Sequence, residues 1–235
     1  YLVARDVQNA GTIKAASAGL VGASEVVMGE NGSGVAVLYG SGRVMNSGLI
    51  DAALAELRAV SDNVHALAIN NSGIVRATTV ANEGGKIILK AESGVVLSNG
   101  TLDASGKQGG EVQVLGDRVG LTGLAKVDVS GETKGGTALI GGDFQGSNPY
   151  IKNAERTVVG RYVSIYADGS DLSNGGKVIV WSDDATRAYG SISARGGSTS
   201  GNGGFVEVSG KGWLDFNASV DTLAPYGTTG TLLLD

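Results

Sequence analysis

The sequence predicts an all-β fold, a right-handed parallel β-helix of about nine coils with short hairpin or loop insertions. Three observations lead there: a phrase that returns at a fixed interval, a second refrain that takes over from it, and a composition suited to many short strands. The phrase is Val44-Met45-Asn46-Ser47-Gly48-Leu49-Ile50-Asp51-Ala52, which returns 25 residues later as Ile69-Asn70-Asn71-Ser72-Gly73-Ile74-Val75-Arg76-Ala77. It stands earlier as Val7-Gln8-Asn9-Ala10-Gly11-Thr12-Ile13-Lys14-Ala15, and an echo worn by one position runs from Leu97 through Asn99 and Gly100 to Ala104. Self-similarity at such a period is the mark of a solenoid.

Composition agrees. The 40 glycines are about 2.4 times the usual share, and there are two prolines without any Gly-X-Y period, which excludes collagen. A hydrophobic content of 42% argues against disorder. Glycine is expected to supply the positive φ angles of tight turns. The net charge of −5, with no basic block, makes nucleic acid an unsuitable partner, and no apolar run is long enough to insert in a membrane. The absence of cysteine removes disulfides, thiolate metal sites and cysteine nucleophiles.

In chain order, residues 1–15 hold the first coil, with Leu2, Val3, Val7 and Ile13 as inward candidates. Two apolar runs follow, 19–23 and 25–28, then a turn by composition at 29–34 and a run at 35–39. This hairpin-like piece accounts for a first interval of 37 residues instead of 25. Residues 51–60 have helical spacing at Leu54 and Leu57, but the neighbouring coils carry strands in the matching place. A strand over 55–60, preceded by a turn, is therefore expected.

From residue 84 a Gly pair precedes each short alternating strand: Gly84-Gly85, Gly109-Gly110, Gly135-Gly136, Gly175-Gly176 and Gly203-Gly204, at intervals of 25, 26, 40 and 28 residues. Alternation such as Val112-Gln113-Val114 marks strands with one face inward. The long interval holds a polar insertion, read as a protruding loop over 142–162. Stacked copies of such a unit bury an apolar face that none can bury alone, and crossover chirality favours the right-handed path. At about 4.8 Å per coil the rod is roughly 45 Å long. The repeated Asn is expected to form an amide ladder along the axis, the Gly two residues later to let the backbone turn without a Cβ clash, and the Ile-x-Ala phrase to set a branched residue inward beside a small one.

The phrases Gly141-Gly142-Asp143-Phe144-Gln145-Gly146, Val180-Trp181-Ser182-Asp183 with Thr186 and Gly190-Ser191-Ile192-Ser193-Ala194-Arg195-Gly196-Gly197, Gly201 through Lys211, and the closing Gly230-Thr231-Leu232-Leu233-Leu234-Asp235 are distinctive. Together they resemble the large exoproteins of bacterial two-partner secretion, of the filamentous haemagglutinin and high-molecular-weight adhesin type. Residues 1–80 are similar to the end of the secretion domain and the coils after it, and 81–235 carry the Gly-Gly-strand repeats. The resemblance implies export through a dedicated outer-membrane transporter, a secreted or cell-surface location, and service as an adhesin or biofilm-matrix fibre, with host-cell or matrix glycans or proteins as partners. The Asn-Pro-Asn-type motifs of the secretion domain are missing; Asn148-Pro149 stands in an unrelated place. A start on Tyr1 and an apolar end give the expectation of one β-helix fragment from a longer chain, whose open coil ends could stack on one another.

Two other functions are weighed: a carbohydrate-active enzyme on the same fold, and a passive stalk for a distal binding or toxin module. Asp103 and Asp128, one coil apart, are the candidate catalytic pair, although Asp-x-Ser-Gly equally suits a strand exit. Asp183 and Asp184 beside Trp181 admit a sugar-binding reading, with a solvated turn preferred. His65, the single histidine, rules out a His pair or triad within the chain and is placed on a coil face. Gly141-Gly142-Asp143 is a lone weak match to a calcium repeat, the sequons at Asn31, Asn70, Asn99 and Asn217 read as accidental, and Trp213, Phe216 and Phe205 read as a core or coil-capping aromatic cluster. No catalytic, cofactor or metal residue is assigned and no enzyme activity is expected; function is sought where the refrain breaks, at 29–34 and 142–162.

Overall fold

A computed structural model describes residues 1–29, 35–78 and 84–235. Each coil lays strands on three faces, and two coils add a short fourth strand, Gly106–Gln108 and Gly131–Lys134. In one coil the three face strands are Lys86–Ala91, Val95–Ser98 and Thr101–Asp103, and in the next Glu111–Leu115, Arg118–Leu121 and Lys126–Asp128. Each pairs in parallel with its counterpart one coil away, so that Ile87 meets Val112, Val96 meets Val119 and Leu102 meets Val127. The result is the parallel β-helix the repeats predict. Its second face is an 8-stranded sheet. The first and third faces join into one 15-stranded sheet because two long strands, Thr12–Gly22 and Leu49–Ala59, run round the corner between them. Eight coils are complete and Thr231–Leu234 begins a ninth, close to the number expected.

Alternation decides which side chains enter the core. On the first face Ala55, Ile87, Val112, Ala138, Val178 and Val206 form one buried column and Leu57, Leu89, Val114, Ile140, Val180 and Val208 another. On the third face Ile50, Val75, Leu102, Val127, Ile165 and Ile192 stack, with Ala52, Ala77, Ala104, Ala167 and Ala194 in the narrow corner two positions on. That is the branched-then-small pattern the sequence offers. Burying each branched side chain contributes about 1.5–3 kcal/mol.

The second face carries the amide ladder. Asn9 Nδ2 donates to Asn46 Oδ1 at 2.8 Å, and Asn46 Nδ2 to Asn71 Oδ1 at 2.8 Å. Asn71 Nδ2 then donates to Ser98 Oγ at 3.1 Å. The worn echo thus keeps its rung through Ser98, while Asn99 stands exposed in the following turn. One coil further the column becomes apolar at Leu121, then Val159 and Ala188.

The glycines serve in two ways. Positive φ occurs, among the described glycines, at Gly40, Gly94, Gly123, Gly141, Gly146 and Gly201, while those of both refrains avoid a Cβ clash, as expected of the Gly after the repeated Asn. What the refrain glycines supply is room. A Cβ on Gly48, Gly73 or Gly100 would lie 2.0–2.2 Å from a carbonyl oxygen of the coil before. On Gly110, Gly136, Gly176, Gly204 and Gly230 it would lie 2.1 Å from the oxygen of the equivalent glycine one coil earlier.

Two further expectations change and one is met. Residues 55–59 are strand, but no turn precedes them, because Leu49–Ala59 is continuous. The hairpin is present as antiparallel Glu25–Met28 and Val35–Tyr39, and it packs Val26 and Leu38 on Val21, Ala23 and Val60; residues 30–34 of the expected turn lie outside the described residues. The insertion ends earlier than 162. Residues 156–159 form a regular second-face strand, Arg156–Val159, in register with Arg118–Leu121.

Asn46→Ala leaves the Asn9 amide and the Asn71 carbonyl unpaired in the core and is expected to cost about 3 kcal/mol, read from the urea unfolding midpoint. Gly136→Ala, whose Cβ meets backbone, should cost about 3 kcal/mol or more. Gly123→Ala, with positive φ and 3.4 Å of clearance, should cost about 1–2 kcal/mol. Equal losses at the two glycines would contradict the close-approach explanation.

Candidate functional site

The feature that departs most from the repeat is the segment 141–155, and it does not protrude. It lies as a strap over the outer side of the first face. Its base is closed by the Ala154 N–H donating to the Gly141 carbonyl at 2.6 Å. Lys152 reaches Asp117 at 2.7 Å, and Lys177 of the face holds Asp143 at 3.0 Å. Asp143 caps a short 3-10 turn, Phe144–Gly146, accepting from the Phe144 N–H at 2.7 Å and from Asn148 at 2.8 Å. Burial works to raise the Asp143 carboxyl, but the bonds from Asn148, the Phe144 N–H and Lys177 outweigh it and hold the group below the ordinary carboxylate range.

The underside of the strap is apolar. Ile151 packs on a cluster of Leu139, Ile179 and Trp181, which point outward from the first face yet are buried. Phe144 meets Phe205 edge-on with ring centroids 5.8 Å apart. Without this cover the outward columns of these coils would expose apolar surface to water. The same lid buries Glu207, whose carboxyl oxygens each lie 3.2 Å from the Gln145 N–H. Gln145 takes a left-handed backbone conformation, φ 51°, to aim that N–H.

The other sequence candidates are dispersed. Asp103 and Asp128 are adjacent in register, as the spacing indicates. Each, however, accepts from the backbone of its own turn, at Ser105 and Ser130, and each has a cation: Arg76 at 3.6 Å and Lys126 at 3.0 Å. Trp181 is buried and its Nε1 donates to Asp183 at 3.1 Å, so it offers no open sugar platform, and Asp184 pairs with Arg156 at 2.8 Å. His65 sits exposed in the turn after the long strand, its N–H bonded to Asn63 Oδ1, rather than on a coil face. Of the sequons, Asn99 and Asn217 are exposed, Asn70 is half-buried, and Asn31 lies outside the described residues. Among the described residues no group of acidic and histidine side chains could hold a metal.

The aromatic trio is not a cluster. Phe205 faces the strap, Phe216 packs inward, and Trp213 lies on the outside of the second face with Arg187 over its ring at 5.3 Å. Sequence reading also missed a buried hydroxyl pair, Thr157 and Thr186. They occupy the inward column shared with Val119 and donate to the carbonyls of Trp181 and Ser209 at 2.7 Å each. Their single signal was a Thr where the earlier coils carry Val or Ile.

Trp181→Ala removes a side chain 4% exposed and is expected to cost about 3–5 kcal/mol. Trp213→Ala, at 49% exposed, should cost less than about 1 kcal/mol. Guanidinium unfolding followed by circular dichroism checks the order; a larger loss at Trp213 would show that the strap does not seal the cluster.

Neither a protein-family profile nor a curated protein matches the chain. Among solved structures it is similar to the crystal structure of the HMW1 secretion domain from Haemophilus influenzae, with TM-score 0.81 and 28% identity, over 98% of this chain and 61% of that one. The chain thus spans about three fifths of that structure's length. A continuous stack of register-matched coils, similar in fold and in sequence to a secretion domain along nearly its whole length, supports placing this chain among the bacterial exoproteins of two-partner secretion.

Proposed function

We propose that the chain is a structural and adhesive segment of a secreted bacterial exoprotein, of the filamentous haemagglutinin and high-molecular-weight adhesin type. An outer-membrane partner transporter delivers it, and it serves in cell attachment or as a matrix fibre. The observation that carries this reading is the likeness to the HMW1 secretion domain over 98% of the chain. Coil architecture supports it physically. The strands of each coil pair only with those of its neighbours, so a chain emerging from a pore can add one coil at a time to those already stacked. The rod then displays flat strand faces and short loops, a geometry for many weak contacts rather than one deep pocket. The engagement of Asp103 and Asp128 by their own turns and cations favours this structural role over catalysis.

Expressed with an export signal beside its cognate transporter, the chain should accumulate outside the cell as a protease-resistant species. Without the transporter it should stay in the periplasm, and release that does not depend on the transporter would contradict the route. Beads coated with the purified chain should bind cultured cells or matrix more than albumin-coated beads; equal binding would remove the adhesive part of the proposal.

A further inference from the structure

Beneath the strap lies a carboxyl group with no cation of its own. Glu207 occupies an outward column of the first face, with Leu139 and Ile179 in the coils before it and Leu233 in the coil after. It is an acid in an apolar column, and it is fully buried. Its cover is the strap, through the single Gln145 N–H that spans both carboxyl oxygens at 3.2 Å. The charged groups around it are Asp143 from the strap, Asp235 after the last strand, and Lys177 on the neighbouring strand, whose ammonium is taken by Asp143 at 3.0 Å. The Gln145 N–H and the Ser209 hydroxyl still leave an ionised carboxylate with lone pairs that lack donors, and burying such a charge is costly.

We infer that residues 141–155 form an acid-tightened strap: a neutral Glu207 carboxyl lets it lie flat on the first face, and ionisation of Glu207 loosens it and bares Leu139, Ile179 and Trp181. Burial pushes the Glu207 carboxyl above the ordinary carboxylate range; hydrogen bonds from the Gln145 N–H and the Ser209 hydroxyl oppose the rise, and the negative charges of Asp235 and Asp143 add to it. A carboxyl raised in the folded state keeps its proton at pH values where the unfolded chain has lost it. Its stabilising contribution therefore grows as pH falls through the folded value and is absent above it. Asp143 and Asp117 act in the opposite sense. Burial works to raise both, but their hydrogen bonds hold them low, so the stability they add is lost only as pH falls below the ordinary carboxylate range. The strap is thus held most firmly in mildly acidic solution. It loosens as pH rises through the raised Glu207 value.

Hydrogen exchange of the intact chain at pH 4.5 and 7.5, corrected for the intrinsic rate of amide exchange, tests this. In the wild type, amides of 141–155 should exchange several-fold faster from the open state at the higher pH, while core amides such as Val112 and Val178 keep their protection. In Glu207→Gln, a permanently neutral side chain of the same shape, the strap should be slow at both. Acrylamide quenching of Trp181 in a Trp213→Phe background should follow the same pattern. Strap exchange in the wild type that is equal at the two pH values, or a Glu207→Gln variant that keeps the full pH dependence, would overturn the inference; the wild-type comparison decides alone if the variant does not fold.

Discussion

The whole molecule rests on how closely its coils lie on one another. Parallel strands sit about 4.8 Å apart, and at the corners of this helix the backbone of one coil runs directly over the carbonyls of the coil before. At Gly136 the missing Cβ would stand 2.1 Å from the Gly110 oxygen, and at Gly73 2.2 Å from the Gly48 oxygen. No side chain fits there. Where glycine takes these corners, at Gly48, Gly73 and Gly100 and at Gly110, Gly136, Gly176, Gly204 and Gly230, the close approach helps hold the strands between them in one register. A slip of one residue would turn every inward valine and leucine to solvent.

Register also explains how a thin core tolerates polar groups. Asn9, Asn46, Asn71 and Ser98 lie at one column position, so each amide finds its partner one coil away and none is left unpaired by its neighbours. Where that column turns apolar at Leu121, polarity moves to the adjacent column, and Thr157 and Thr186 satisfy corner carbonyls. These amides and hydroxyls thus have partners fixed by stacking, which is the condition under which burying them is not costly. Glu207 stands apart from them. It is covered by the strap and not by a rung, and its surroundings make its protonation state a property of the fold.

What repeats could be read from the sequence, and what happens once could not. Asn46 and Asn71 share a phrase, so the ladder was legible; so was the inward Ile-x-Ala pattern at Ile50 and Ala52. Glycine was legible as a requirement, and after the repeated Asn as to its reason; close approach and positive φ both select it, and the distances at Gly48 and Gly110 decide for approach in both refrains. The strap was legible as an interruption. Its contacts were not, because Gln145 meets Glu207 across 62 positions of sequence, a pairing with no local signal. For the same reason Trp181 read as a surface aromatic beside two aspartates, although the strap buries it. Phe205 stands on a first-face strand, while Trp213 and Phe216 share a second-face strand three positions apart, so alternation turns one outward and the other inward.

A solenoid whose strands pair only with those of neighbouring coils makes a strong demand: a whole coil should be removable. Deleting residues 111–136 joins Gly110 to Thr137, which are followed in register by the same columns, because Glu111 and Thr137 are paired positions. Urea unfolding of this deletion followed by circular dichroism should show an intact β signal and one cooperative transition at a modestly lower midpoint. Loss of the β signal, or a transition that breaks into separate phases, would contradict the claim that corner-to-corner stacking defines the fold.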